Sequence, residues 1–345
     1  MLSLNWINSG YMALFNKSPF LIGEISFNFY EIAEREECPY LDVAKLLIRE
    51  AKTCGVNAVN FHVGDSEYLH CEYDEESLDI SDKLTVDDYI ELSDYCREIG
   101  ILFMITPSKF EDVSSLDEYV SAYKISASDL TNIPFIKYVS TKKKPIILST
   151  AASTLKEIKQ AINAIEEESN FKIALMHSVL SYPTKLEDAN LLMIKDLADS
   201  FGEYDIGYSD YTIPDSNMFI LTTAFNYGAI ILEKYFTVDK SLKNHEYAMD
   251  SEDVRNFRVN MNVLSKINGF KNKQPLICES FSRKNVRKSI IAKRDIKKGE
   301  RIDENDLDFK MPENGISPNE IENVVGKIAN LDIKKDSVIY YDMLL

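Results

Sequence analysis

The stretch at 230–240, IILEKYFTVDK, decides the fold. Ile230, Ile231 and Leu232 run straight into Glu233, Lys234, Tyr235 and Phe236. A short apolar run just after Gly228 reads as a strand buried on both faces, the kind found in parallel sheets covered by helices. Charged and aromatic side chains at its C-terminal end mark a strand whose end lines a site.

Working outward, similar runs recur upstream: FLIGEI (20–25), NAVNFH (57–62), ILFMIT (101–106), AYKIS (122–126), PIILST (145–150), FKIALMH (171–177) and YDIGYS (204–209). With GAIILEK (228–234) they make eight. Amphipathic segments separate them, among them 41–55, 86–100, 154–169, 187–202 and 214–228. Several of these end in Gly, a helix stop signal, and Asp42 and Thr154 sit where N-caps belong. Eight strand–helix repeats in roughly 250 residues predict a (β/α)8 TIM barrel over 20–268. An open α/β sheet is the alternative, and the lack of GxGxxG after any strand argues against its dinucleotide-binding form. Residues 1–19 are expected to form an N-terminal cap or hairpin. Polar, charged 269–284 reads as a linker, and 285–345, with turns at Lys298-Gly299 and Asn314-Gly315, as a small, mostly β module.

The chain has 345 residues, 45% hydrophobic and 28% charged, which is ordinary globular composition. A formal net charge of −17 argues against nucleic acid and anionic lipid as partners. It also repels anionic metabolites unless local cations reverse the field. No apolar run is long enough for a membrane span, and the N-terminal stretch does not read as a signal peptide. The five cysteines are scattered without a CxxC pair, which suits a reduced cytoplasm.

Barrel active sites lie at the C-terminal ends of the strands. Those ends supply Glu24, Asn60, His62, Thr106, Lys124, Ser149, Thr150, His177, the run Ser209-Asp210-Tyr211-Thr212, and Glu233 with Tyr235. By period-two alternation Asn60 and His62 share a face, as do Glu233 and Tyr235. Lys124 inside AYKIS is the sharpest signal, because an unpaired lysine in a barrel strand is costly. Glu24 is similar. His62 and His177 read equally well as hydrogen-bonded core histidines, and Tyr211 and Tyr235 as packing aromatics.

The blocks GEISFN, TPSKFEDV, YKISASDLTNIPFIK, KPIILSTAAST, SYPTKLEDANL, IGYSDYT, EKYFTVDK and RKSIIAKRDIKKGE, in that order, resemble the sialic acid synthase family, including the legionaminic and pseudaminic acid synthases. The resemblance spans about residues 20 to 342. It implies a barrel followed by an antifreeze-like (SAF) domain, a domain-swapped homodimer, and condensation of phosphoenolpyruvate with an N-acetylated hexose. It also implies a divalent metal, Mn²⁺ or Mg²⁺, that polarises the sugar aldehyde. Carried over position by position, Glu24 matches a catalytic glutamate, Asn28 the asparagine that follows it, and Lys124 an enolpyruvate-binding lysine. Thr106, Ser149 and Thr150 match polar positions around that ligand, and Tyr182 keeps the SYP element. Asp210 and Glu233 keep acids beside the metal, and His245 matches a histidine of the loop over the sugar.

The departures concentrate at the chemistry. Tyr211 and Tyr235 stand where the family has its two metal histidines, in SDHT and EKHF. A phenol with a pKa near ~10 holds its proton where imidazole is mostly neutral, so this exchange weakens a divalent site. His62, in place of a glutamine, is a candidate replacement ligand. Asn60 replaces a phosphate-binding lysine, Ala127 a phosphate-binding serine, Phe29 a histidine, and Met311 an arginine of the SAF domain. Losing two cations removes about 3–6 kcal/mol of anion recognition, on the order of 10²–10⁴ in affinity. Three readings follow: a synthase with an altered metal arrangement, a weakened homologue that binds a sugar or partners a true synthase, and a different aldol-type or lyase enzyme with Tyr211 or Tyr235 as general acid.

Overall fold

The computed structural model describes residues 18–64 and 84–345, so the cap expected at 1–19 lies outside them apart from its last two residues. Two compact units divide the chain, Met1–Gly269 and Phe270–Leu345.

In the first unit β1 (Phe20–Glu24), β2 (Ala58–Val63), β3 (Leu102–Pro107), β4 (Ala122–Ile125), β5 (Ile146–Ser149), β6 (Ile173–His177), β7 (Asp205–Asp210) and β8 (Ile231–Tyr235) form a closed barrel. Closure is the parallel pairing of β1 with β8, from Phe20 opposite Ile231 to Glu24 opposite Tyr235, and it replaces the open-sheet alternative. The helices are α1 (Asn28–Glu36), α2 (Tyr40–Cys54), α3 (Val86–Ile99), α4 (Phe110–Leu116), α5 (Ile133–Ser140), α6 (Leu155–Glu168), α7 (Met193–Ser200), α8 (Phe219–Asn226) and α9 (Ser251–Asn268). Thr154 caps α6 through a capping box with Glu157. Asp42 does not cap α2. That helix starts earlier, at Tyr40 directly after Pro39, and Asp42 falls in its first turn, where a carboxylate still meets the positive helix end.

Both faces of each strand are buried, but they differ. Outward residues such as Val59, Phe61, Ile105, Tyr123, Leu148 and Leu175 pack under the helices. The inward set forms tiers. The floor is apolar: Phe20, Ile22, Ala58, Met104, Ala122, Ile147 and Ile231, with Met176 filling the centre. Two residues further along six of these strands the inward position turns polar, giving Glu24, Asn60, Thr106, Lys124, Ser149 and Glu233, all buried. Period two along a strand thus converts a sequence alternation into a plugged barrel with a polar storey above it.

Gly207 makes room for that plug. A Cβ there would overlap the Met176 sulfur and lie 2.7 Å from the Ile231 carbonyl oxygen. The second unit contains α10 (Ser280–Val286), preceded by a 3-10 turn at Ile277–Glu279, so the stretch read as a linker carries helical structure. An antiparallel pair, β9 (Ser289–Ala292) with β10 (Leu307–Lys310), follows. Its own core includes Ile290, Ile296, Ile302, Ile316, Val324 and Ile339.

We expect Gly207→Ala to destabilise the protein by about 1–3 kcal/mol through overpacking, read as a lower urea midpoint. An unchanged midpoint would contradict the tiered packing.

Candidate active site

Lys124 on β4 reaches across the barrel interior. Its ammonium donates to Glu24 Oε2 at 3.0 Å and to Glu233 Oε2 at 2.6 Å. The three residues are 6%, 5% and 1% exposed. Ser209 Oγ donates to the same Glu233 oxygen at 2.6 Å. Asn60 Nδ2 donates to Glu24 Oε2 at 2.6 Å and to Thr106 Oγ1 at 2.7 Å. Register sets these contacts, because Asn60 lies opposite Glu24 and Ser209 opposite Glu233. The second oxygens, Glu24 Oε1 and Glu233 Oε1, are buried without a hydrogen-bond partner, as is Asn60 Oδ1. Two carboxylates around one ammonium leave an excess negative charge, and protonation relieves it. Burial, opposed by Lys124 and reinforced by Glu233, pushes the Glu24 carboxyl up to about 7. Burial acts against the Lys124 charge, but Glu233 and Glu24 hold its pKa well above the ordinary lysine value.

A storey of aromatic side chains sits one step further along the strands. The Tyr211 and Tyr235 ring centroids are 5.9 Å apart. Tyr182 lies 4.7 Å from Tyr211, and Tyr247 lies 5.4 Å from Tyr235. Burial raises both the Tyr211 and Tyr235 phenols well above their usual value. Glu24 adds to the rise at Tyr235, while Lys124 pulls the other way at Tyr211. Both are therefore neutral hydroxyls at pH 7. His62 stacks on Phe27 at 5.5 Å, and burial followed by Lys124 lowers it to about 4, so its ring is neutral too.

Other expected residues lie elsewhere. Asp210 does not face the Lys124 cluster: it points to the helix side of the sheet, paired with the fully buried Lys234 at 2.7 Å. It also accepts from the Thr212 amide and the Tyr208 hydroxyl. One residue's shift along β7 separates it from Ser209, and alternation sends the two to opposite faces. His177 likewise faces outward, against Tyr208 and the Ala189 carbonyl. His245 is buried against Thr237, its Nδ1 at 2.7 Å from Thr237 Oγ1, and burial lowers its pKa. It anchors the loop that carries Tyr247. Asn28 Nδ2 donates to the Phe236 carbonyl at 3.0 Å, tying α1 to the end of β8. Ser149 lies 3.4 Å from Ser178, and the Thr150 hydroxyl donates to the Met176 carbonyl at 2.9 Å. The cluster thus unites six of the strand-end candidates: Glu24, Asn60, Thr106, Lys124, Ser209 and Glu233. Tyr247, which no strand-end pattern signals, joins the aromatic storey.

A model of the NeuB family matches residues 47–273, and one of the SAF domain matches residues 287–345. The chain belongs to the NeuB family. Among its relatives, an N,N'-diacetyllegionaminic acid synthase of Legionella pneumophila is 30% identical over 88% of this chain and 90% of its own. A synthase of the same name from Campylobacter jejuni is 34% identical over 77% and 80% respectively. A crystal structure of an N-acetylneuraminic acid synthetase from Leptospira borgpetersenii superposes with a TM-score of 0.69 at 26% identity, covering 77% of this chain and 90% of that one.

The divalent metal implied by the sialic acid synthase resemblance does not fit this member of the NeuB family. The two positions that would grip it carry protonated phenols, each of which must lose a proton to become a ligand. Glu24 and Glu233 are already engaged by Lys124. Among the described residues no group of three His, Cys, Asp or Glu is placed to hold a metal ion.

Lys124→Met leaves two buried carboxylates without their cation. We expect a loss of about 3–5 kcal/mol in urea unfolding at pH 7, partly recovered when Glu233→Gln is added. Wild-type stability in the single variant would contradict the cluster.

Proposed function

We propose that the protein condenses phosphoenolpyruvate with the open-chain aldehyde of an N-acetylated amino sugar, giving a nonulosonic acid and inorganic phosphate. The family assignment supports the reaction class. The observation that carries it to this chain is the buried Glu24, Lys124 and Glu233 cluster in the barrel's polar storey. Lys124 engages two of its three N–H donors within the cluster, and the third is offered to the anionic groups of the enolpyruvate. A carboxyl titrating near 7 exists in both forms at neutral pH, so Glu24 can take a proton from the attacking water and return it. Glu233, held by Lys124 and Ser209, fixes the ammonium in place. The tyrosines at the mouth supply faces and hydroxyls for the sugar. Asp210 stays outside this set as half of a structural ion pair. The reading includes a domain-swapped homodimer in the cytoplasm. No described helix is long and apolar enough to cross a membrane.

A second reading has one observation in its favour. Asn60, standing for a phosphate-binding lysine, is consumed by Glu24 and Thr106, so it contributes no charge to an incoming phosphate. A sugar-binding homologue, or the partner of a complete synthase, would need none.

Incubation with phosphoenolpyruvate, Mn²⁺ and N-acetylmannosamine or a diacetamido-hexose, followed by a phosphate assay, separates the two. Phosphate release is expected with at least one hexose, falling by about 10²–10⁴ in Glu24→Gln. No release with any hexose, while a sugar still raises the melting temperature, would replace the first reading with the second.

A further inference from the structure

We propose that in this chain the hydroxyl of Tyr235, assisted by Tyr211, takes the place of a divalent metal in activating the sugar aldehyde, so that the condensation is metal-independent. The inference rests on the condensation reading above and specifies its electrophilic group.

Four features of the fold support it. Tyr235 closes β8 on the inward face, two residues beyond Glu233 and opposite Glu24 in the register, so its side chain stands one step above the carboxylates. Tyr211 reaches the same place from β7, two residues beyond Ser209, with its ring 5.9 Å from that of Tyr235. Among the described residues no hydrogen bond engages the Tyr235 hydroxyl, so its proton is available to a ligand. Tyr182 and Tyr247 flank the pair and fix the ring positions. The family's imidazoles accept a cation, whereas phenols donate a proton. The same two positions can therefore stabilise a developing alkoxide by donation instead of by Lewis acidity.

The electron and proton changes are complete without a metal. The enolpyruvate C=C pair forms the new C–C bond to the aldehyde carbon. The C=O pair moves to oxygen, which takes the Tyr235 proton and becomes a hydroxyl. Water adds to the phosphate-bearing carbon. One of its protons passes through Glu24 and restores the phenol. The other departs with phosphate, which leaves with the C–O electron pair as the ketone forms.

The full chain, freed of metal and assayed in EDTA with phosphoenolpyruvate and the hexoses above, should release phosphate at the rate seen with Mn²⁺. Tyr235→Phe keeps the ring and removes only the hydroxyl. It should retain the melting temperature and lose about 10²–10³ in kcat. In parallel, the electron paramagnetic resonance signal of free Mn²⁺ should be unchanged by an equimolar amount of protein. Release that appears only when Mn²⁺ is added, stoichiometric loss of the free-ion signal, or a fully active Tyr235→Phe would each overturn the proposal while leaving the condensation standing. Absence of phosphate with every hexose, in EDTA and in Mn²⁺ alike, would sink the condensation reading and this inference with it.

Discussion

One ammonium held between two carboxylates inside a barrel constrains everything above it. Lys124, Glu24 and Glu233 come from strands far apart in sequence, and closure of β1 onto β8 brings both carboxylates within 3.0 Å of the one ammonium. A buried ion cluster is weak evidence for stability, because desolvation offsets much of the Coulombic gain. Its presence on top of an apolar plug therefore points to chemistry. The plug excludes water from below, the helices exclude it from the sides, and the low dielectric makes each remaining charge more effective.

The aromatic storey follows from the same constraint. A phenol at position 235 or 211 stays protonated: burial disfavours phenolate at both, Glu24 adds repulsion at Tyr235, and at Tyr211 burial outweighs the opposing pull of Lys124. Phenols at these two positions donate protons, and the surroundings keep those protons in place. His62, stacked on Phe27, is neutral and adds no cation. Lys124, in the polar storey beneath, offers positive charge to an anionic ligand that enters the barrel far enough to meet it.

Much of this was legible in the sequence. Strands covered on both faces announce themselves as continuous apolar runs, and each of the eight sat within three residues of its structural position. Lys124 and Glu24 stood out because charged residues inside such runs need partners. Asp210 misled because a strand buried on both sides gives no polar–apolar alternation to say which face is inward, so its pairing with Lys234 was hidden by the assumption that strand-end acids converge. Tyr247 was invisible for another reason: the loop between β8 and α9 has no periodicity, and His245, the residue in it that draws notice, serves to anchor the loop against Thr237. Asp42 shows the smaller error typical of boundaries, a cap signal overridden by a proline three residues earlier.

The most direct test of the central cluster is the infrared titration of its carboxyls. Between pH 4.5 and 9 the wild-type protein should show a protonated carboxylic acid band that disappears with a midpoint near 7, absent in Glu24→Gln. A Glu24 carboxyl already ionised at pH 5 would contradict the account, because Glu24 would then not be buried against Glu233 around a single ammonium.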